Sequence, residues 1–165
     1  MKIMVTGHRP NKLPEFTYNY TSKKWRGTIN LFKEILKKYN CTEGISGMAL
    51  GTDTAFALAI IELKEEGYDI KLHCAIPCLN HSSKWPESSQ KLYNLILEKA
   101  DTVHIVSEEP YKPYLMQKRN EYMVDIADLC IAFWDGTSGG TKNCVEYIKK
   151  QYKPMIWIEP NKIKE

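Results

Sequence analysis

Short apolar runs alternate with longer amphipathic segments along this chain, and that alternation decides the class of fold. Residues 25–39 place apolar side chains at three- and four-residue steps, as an amphipathic helix does. Residues 70–76 are a short, mostly apolar run stopped by Pro77, which is typical of a strand. Strands that alternate with helices predict an α/β fold, a Rossmann-like parallel sheet with helices on both faces.

The same pattern predicts six strands and five helices. The strands are expected at residues 3–6, 44–46, 70–76, 102–106, 129–134 and 154–158. The helices are expected at residues 25–39, 54–66, 88–99, 114–127 and 141–152. No linker or low-complexity segment interrupts this order, so we expect residues 1–165 to form a single domain.

Composition excludes several classes of protein. The longest unbroken apolar run, residues 55–61, is too short to cross a bilayer. The N-terminus lacks the apolar core of a signal peptide, so we expect a cytoplasmic protein with no membrane partner. A net charge of +3 is too small to indicate nucleic acid binding by itself.

The five cysteines are an odd number and lie in apolar segments, which favours reduced core thiols over disulfides. Cys74, Cys78, His73 and His81 lie close together in sequence. Their spacing fits no standard zinc pattern, so we expect no metal site and no cofactor.

The turn after the first predicted strand, TGHRP, contains Gly7, His8 and Arg9. Ligands of parallel sheets bind beyond the carboxyl ends of the strands, which makes this turn a candidate site. The planar guanidinium of arginine suits phosphate or carboxylate. The alternative is a turn with two solvated side chains, and we favour a ligand role.

The turn after the second predicted strand, SGMALGTD, is rich in small and polar residues. It contains Ser46, Gly47, Gly51, Thr52 and Asp53. Glycines at a strand-to-helix turn let a phosphate approach the free backbone amides of the helix. A glycine turn with Thr52 or Asp53 as the helix cap explains the same residues equally well. If the turn does bind a nucleotide, Asp53 suits a ribose hydroxyl better than a phosphate.

Arg119 and Asn120 interrupt the apolar face of the fourth predicted helix. A buried arginine is costly unless it is paired or hydrogen-bonded. Its partner is either an acid, such as Asp125 or Asp128 or a group across the sheet, or the phosphate of a ligand.

The turn after the fifth predicted strand, WDGTSGGT, has the composition of a second anion site. It contains Asp135, followed by Gly139, Gly140 and Thr141 at the start of the last helix. Three such turns at one edge of one sheet predict an anionic, nucleotide-like ligand.

Two apolar features leave alternatives open. Phe16, Tyr18 and Tyr20, in the long segment before the first helix, either stack on a base or cover the edge of the core. Residues 55–63 and the segment around Trp157 either pack against a second copy of the chain, forming a homo-oligomer, or belong to the core.

Taken in order, VTGHRP, ISGMALGTDTAFA, MQKRNEYMVDIAD and FWDGTSGGT resemble the bacterial YpsA-like branch of the SLOG superfamily. The resemblance covers nearly the whole chain. It implies a Rossmann-like fold and a nucleotide or nucleotide-derived ligand. Wider relatives include LOG proteins, which release a base from nucleoside monophosphates, and DprA, which binds single-stranded DNA. By position it points to the glycine turns named above and to Arg119 and Asn120.

The sequence departs from the LOG pattern at the residue that would serve catalysis. LOG proteins carry P-G-G-x-G-T-x-x-E, but the residue three positions after Thr141 is Cys144, and the glutamate is Glu146. A shift of two residues turns a helical side chain through roughly 200°. Glu146 therefore cannot simply inherit the role of the LOG glutamate, and we expect Cys144 to be a buried, inert thiol.

We therefore expect a binding module for a nucleotide-derived small molecule, acting as a sensor, carrier or sequestering protein. The first alternative is an enzyme that cleaves or transfers the N-glycosidic bond of a nucleoside monophosphate. Its candidate carboxylates are Asp53, Asp135 and Glu146. The second alternative is single-stranded DNA binding, which the small net charge disfavours.

Overall fold

The computed structural model describes residues 1–164, which form a six-stranded parallel sheet with helices on both faces. The strands are β1 (Lys2–Gly7), β2 (Glu43–Ser46), β3 (Lys71–Ile76), β4 (Thr102–Ile105), β5 (Leu129–Phe133) and β6 (Met155–Ile158). The helices are α1 (Lys23–Lys38), α2 (Thr52–Glu65), α3 (Glu87–Lys99), α4 (Pro113–Ile126) and α5 (Gly140–Lys150). The α/β class and the Rossmann-like arrangement are confirmed.

The strand order β4-β3-β2-β1-β5-β6 contains one reversal. The chain moves outward from β1 to β4, then crosses back to pair β5 with the free side of β1. Helix α2 contacts both α1 and α3, whereas α4 and α5 form a separate pair. A crevice at the carboxyl ends of β1 and β5 is therefore the place where this topology puts a ligand.

The central strands are buried on both faces, which explains their apolar runs, whereas the edge strand β4 is exposed. In β1, Ile3 and Val5 point into the larger core beneath α1–α3. Met4 points to the opposite face, where it joins Met123 and Cys144 beneath α4 and α5. The alternation of neighbouring side chains between the two faces is the ordinary geometry of a strand.

Every predicted strand and helix is present, with bounds that differ by one or two residues. The largest differences lie at the starts of α1 and α2 and at the end of α5. Residues 55–63 lie mostly buried between the sheet and the neighbouring helices, so they belong to the core and offer no face to a second copy. Trp157, on the edge strand β6, is 53% exposed, and packing of that edge against a second copy stays a prediction.

All five cysteines are free and buried, as the sequence predicted. Cys74 lies in the larger core, where burial raises the pKa of its thiol to about 12. Within residues 1–164, no helix combines the length and the apolar character needed to cross a bilayer.

Candidate functional site

A cavity of about 350 Å³ opens at the carboxyl ends of β1 and β5, where the strand order reverses. Its walls bring together eight of the residues singled out from the sequence: Gly7, His8, Arg9, Asp53, Arg119, Asn120, Gly140 and Thr141. The remaining lining residues, which sequence reasoning missed, are Thr6, Asn11, Lys12, Ala49 and Met116. The volume lies at the lower end of the range for small-molecule sites.

Gly7 ends β1 against the first turn of α2. A Cβ atom at this position would lie 2.5 Å from the Thr52 side chain, so only glycine allows the two segments to approach so closely. The Thr52 hydroxyl donates to the His8 carbonyl oxygen at 2.8 Å. Thr52 therefore fixes the backbone of the Gly-His-Arg turn and does not itself line the cavity.

His8 is 3% exposed, and its Nε2 lies 2.7 Å from Oδ1 of Asp135. Asp135 follows β5 and does not line the cavity. The structure thus joins two of the predicted residues into a pair in which only the histidine reaches the cavity wall.

The start of α5 leaves its backbone amides free. Gly139 is the N-cap residue and carries no capping side chain. The amides of Gly140, Thr141 and Lys142 have no hydrogen-bond acceptor among residues 1–164. Lys12 lies across the same turn, where its Nζ donates to the Ser138 carbonyl oxygen at 3.2 Å. Free amides beside an ammonium group are an arrangement that binds anions.

Asp53 and Arg119 bring opposite charges into the buried floor of the cavity. Burial raises the pKa of Asp53, and the charges of Arg119 and Arg9 and the Ala49 amide only partly offset that effect. Burial likewise lowers the pKa of Arg119, which Asp53 partly offsets. The guanidinium donates to the Gly47 carbonyl and, at 3.0 Å, to Asn120 Oδ1.

The ion pairs expected for Arg119 with Asp125 or Asp128 are wrong. Asp125 accepts a hydrogen bond from the Tyr147 hydroxyl, and Asp128 accepts one from the Lys2 backbone amide. Arg119 instead donates to the Gly47 backbone carbonyl at the end of β2, which is a hydrogen bond and not an ion pair, because α4 packs over β1 and β3.

The serine and the glycines of the turn after β2 do not reach the cavity. The Gly51 amide donates to Tyr20 Oη at 2.8 Å, and the Met48 amide donates to Ser46 Oγ at 3.2 Å. Ser46, Gly47, Gly51 and Thr52 lie behind the cavity wall.

The expected helix cap by Thr52 or Asp53 is wrong. Gly51 is the N-cap residue of α2, and α2 begins without a side-chain cap. The Asp53 carboxylate instead accepts the Ala49 amide at 3.2 Å. The turn after β5 does reach the cavity. Gly140 and Thr141 line it, while Gly139 lies just behind them.

The aromatic residues before α1 belong mainly to the core edge. Phe16 and Tyr20 are each 8% exposed, and both pack against Trp25. Tyr18 is 53% exposed. Lys12 lies in the short 3-10 turn that precedes this segment, where no periodic pattern marks it. Its position three residues after Arg9 was the one feature of the sequence that could have identified it as a site residue.

The catalytic position of the LOG pattern is filled by a buried thiol. Cys144 has no exposed surface, and burial raises its pKa to about 12, as expected for an inert cysteine. The Glu146 side chain is 64% exposed and pairs with Lys142 at 3.9 Å, outside the cavity.

Within residues 1–164, no three side chains of the metal-ligating types His, Cys, Asp and Glu cluster closely enough to hold a metal ion. His81 is instead enclosed by Trp85 and Tyr93, with ring centroids 5.0 and 5.6 Å away.

Comparison with known proteins places this geometry in a family. The SPbeta prophage-derived protein YoqJ of Bacillus subtilis is 35% identical over 135 residues, which cover 75% of this chain and 79% of YoqJ. A UPF0398 protein of Halalkalibacterium halodurans is 31% identical over 157 residues, covering 90% of this chain and 80% of that protein.

Two solved structures share the fold. DNA processing protein A (DprA) of Streptococcus pneumoniae superposes with a TM-score of 0.63 at 18% identity, over 94% of this chain and 49% of DprA. The Helicobacter pylori DprA, described with a single-stranded DNA binding mode, gives a TM-score of 0.62 at 20% identity, over 95% of this chain and 64% of that protein. The present chain thus spans less than two thirds of either DprA.

The family model YpsA, described as the YspA SLOG family, matches residues 3–161. The matched range includes the Gly-His-Arg turn and the start of α5 and spans nearly the whole chain, so the chain belongs to the YpsA family of SLOG proteins.

Proposed function

We propose that this protein binds an anionic, nucleotide-derived ligand in the cavity at the reversal of strand order, as a sensor, carrier or sequestering protein. The observation that carries the proposal is the open start of α5. Its free amides, from Gly140 to Lys142, lie beside the Lys12 ammonium group. Arg9 lines the same cavity. A phosphate at this point satisfies the amides and neutralises the neighbouring cations.

The charges of the cavity support an anion. Arg9, Lys12 and Arg119 line it, whereas Asp53 is the one carboxylate among its lining residues. A ligand without negative charge would leave these cations facing one another at close quarters in a partly desolvated space.

Asp53 supplies the contact for the sugar of the same ligand. Its carboxylate uses one oxygen for the Ala49 amide, which leaves acceptor capacity for a hydroxyl. A ligand that carries both phosphate and hydroxyl groups therefore matches the cavity better than inorganic phosphate does.

A small ligand fits this site better than a DNA strand. A cavity of about 350 Å³ accommodates a nucleotide-sized molecule, and Phe16 and Tyr20 are unavailable for base stacking because they are buried. Single-stranded DNA remains a candidate through the shared fold of DprA, and the experiment below includes it.

A second candidate function is cleavage or transfer of an N-glycosidic bond. It is favoured by the presence of Asp53 on the cavity wall, where a carboxylate can stabilise positive charge that develops on a sugar. Incubation with nucleoside monophosphates and chromatography for free base tests it. Release that persists in Glu146→Gln but stops in Asp53→Asn supports this function, whereas no release from a protein that binds the nucleotide excludes it.

Isothermal titration calorimetry against AMP, cyclic AMP, ADP-ribose and a short single-stranded oligonucleotide tests the binding function. We expect one of the three small ligands to bind and Lys12→Met to weaken it at least tenfold, about 1.4 kcal/mol. Lys91→Met is the matched control, because Lys91 lies on the exposed face of α3 and loses the same charge remote from the cavity.

Two results contradict the proposal. Folded protein that binds none of the small ligands removes its basis. Binding that Lys12→Met and Lys91→Met weaken equally would place the ligand elsewhere. An oligonucleotide that binds alone, with an affinity that falls steeply with salt, would instead favour the DprA-like function.

A further inference from the structure

Asp135 is held in a fixed, ionised state beside the cavity. Its Oδ1 accepts hydrogen bonds from His8 Nε2 at 2.7 Å, from the Thr137 amide at 3.0 Å and from Thr137 Oγ1 at 2.6 Å. Partial desolvation opposes ionisation, but the Thr137 and His8 hydrogen bonds outweigh it and lower the pKa of Asp135 to about 2. The carboxylate therefore acts as a permanent acceptor towards the imidazole.

This carboxylate determines which nitrogen of His8 carries a proton. An ionised carboxylate has no hydrogen to donate, so a contact of 2.7 Å requires a proton on Nε2. The Asp135 amide, 3.5 Å from the same nitrogen, is too distant to compete. In the neutral imidazole, Nδ1 is then a bare acceptor.

Nδ1 is the atom that is free to meet a ligand. No hydrogen bond to it is formed within residues 1–164, and His8 lines the cavity. A bare nitrogen lone pair repels a phosphate oxygen, whereas a protonated Nδ1 donates to it. An anionic ligand at this wall thus favours the imidazolium form of His8.

The charged groups around His8 also affect whether its imidazolium form is stable when a ligand is bound. Besides Asp135 in the β5–α5 turn, four ionisable groups lie near His8 at the cavity. They are Arg9 and Lys12 after β1, Asp53 on α2 and Arg119 on α4. Three of these four groups are cations, which attract an anionic ligand to this wall. A bound anion neutralises them and leaves Asp135 free to stabilise the imidazolium from behind.

We propose that ligand binding at this cavity is coupled to the uptake of one proton on His8 Nδ1, with Asp135 as the positioning residue that makes the imidazolium stable. The inference rests on the proposed function, because it concerns the same anionic ligand. We therefore expect the affinity for the ligand to fall as pH rises, by up to about tenfold per pH unit.

Calorimetry in two buffers measures the coupling directly. ADP-ribose and cyclic AMP are suitable probes because their phosphates are diesters that stay fully ionised near neutral pH, so any proton taken up belongs to the protein. Titrations at about pH 7.5 in Tris and in HEPES give different heats when protons move, since the two buffers ionise with different enthalpies. We expect a net uptake of protons, up to one per bound ligand, in the wild type.

Two variants assign the proton. His8→Asn is expected to abolish the uptake, and Asp135→Asn to reduce it at least twofold while keeping an acceptor oxygen near Nε2. If His8→Asn fails to fold, Asp135→Asn decides by itself. If only AMP binds, its own protonation is common to all variants and cancels in the comparison between them.

The outcomes separate the two proposals. Binding with the same heat in both buffers overturns the coupling and leaves the binding function intact, as does an uptake that survives unchanged in Asp135→Asn. Absence of binding by the folded wild type to every probe overturns both.

Discussion

The guanidinium of Arg119 occupies the space that a side chain at position 47 would need. A Cβ atom added to Gly47 would lie 2.7 Å from Nη1 and 2.8 Å from Cζ of Arg119. The same guanidinium donates to the Gly47 carbonyl. The contact joins the end of β2 to α4, so the second glycine-containing strand end positions an arginine of the cavity instead of contacting the ligand itself.

Replacing Gly47 by alanine is expected to displace Arg119. The guanidinium is buried and hydrogen-bonded to Gly47 and Asn120, so it cannot move without losing these hydrogen bonds. We predict a melting temperature lower by roughly 3–10 °C and ligand affinity reduced more than tenfold. Thermal unfolding and calorimetry measure the two effects.

Gly140→Ala is the matched control for that substitution. No atom lies within 4 Å of a Cβ at Gly140, so the melting temperature is expected to stay within about 2 °C of the wild type. The methyl group enters the anion site, so binding alone should weaken. Equal melting temperatures for both glycine variants and the wild type would show that Arg119 is not held as described.

Asp53→Asn should make the protein more stable at neutral pH and weaker in binding. Because burial raises the pKa of Asp53, the folded state favours the protonated carboxyl, and the wild type loses this contribution as pH rises through that raised value. The asparagine variant lacks the titration. Its stability relative to the wild type is therefore expected to increase from pH 4 to pH 7, by about 1.4 kcal/mol per unit of pKa shift.

Urea unfolding at several pH values measures the difference, in which the other titrating groups cancel. A relative stability of Asp53→Asn that decreases as pH rises would mean that the folded protein stabilises the carboxylate. It would contradict the account of Asp53 as a destabilised acid retained for ligand contact.

His81→Phe should protect the fold against acid. Burial lowers the pKa of His81 to about 3, with the charges of Arg119 and Arg9 acting in the same direction. The folded state therefore requires the neutral ring, and the wild type loses stability as pH falls below the ordinary histidine range towards 3. Phenylalanine removes the titration and the Nε2 atom that lacks a hydrogen-bond partner.

The loss of stability between pH 7 and pH 4 is expected to be smaller in His81→Phe by roughly 2–3 kcal/mol. Urea unfolding at the two pH values measures it. Parallel losses in wild type and variant would show that His81 does not titrate with a lowered pKa.

The fold could be predicted because apolar runs indicate strands and helical periodicity indicates helices, and both patterns are visible in short stretches of sequence. The central strands β1 and β5 are mostly apolar runs, since both of their faces are buried, and the amphipathic helix α1 has its own periodicity. Only the ends differed: Thr52 and Asp53 were expected as helix caps, yet Gly51 takes that position and their side chains bond to the neighbouring turn.

The site could be predicted only as a set of strand ends. The rule that ligands bind beyond parallel strands identified Arg9 and Gly140, and the interrupted apolar face of α4 identified Arg119. All three line one cavity. The rule could not show that the turn at Gly51 is hydrogen-bonded to Tyr20, or that Lys12 reaches the start of α5. Those contacts join segments distant in sequence and depend on side-chain directions that no local pattern encodes.

The crystal structure of the protein soaked with its tightest ligand from the calorimetric panel tests the central claim most directly. The account predicts phosphate density at the start of α5, within hydrogen-bond distance of the Gly140 and Thr141 amides and of Lys12, with a ligand hydroxyl on Asp53. Ligand density outside this cavity, or a phosphate that contacts none of these groups, would contradict it.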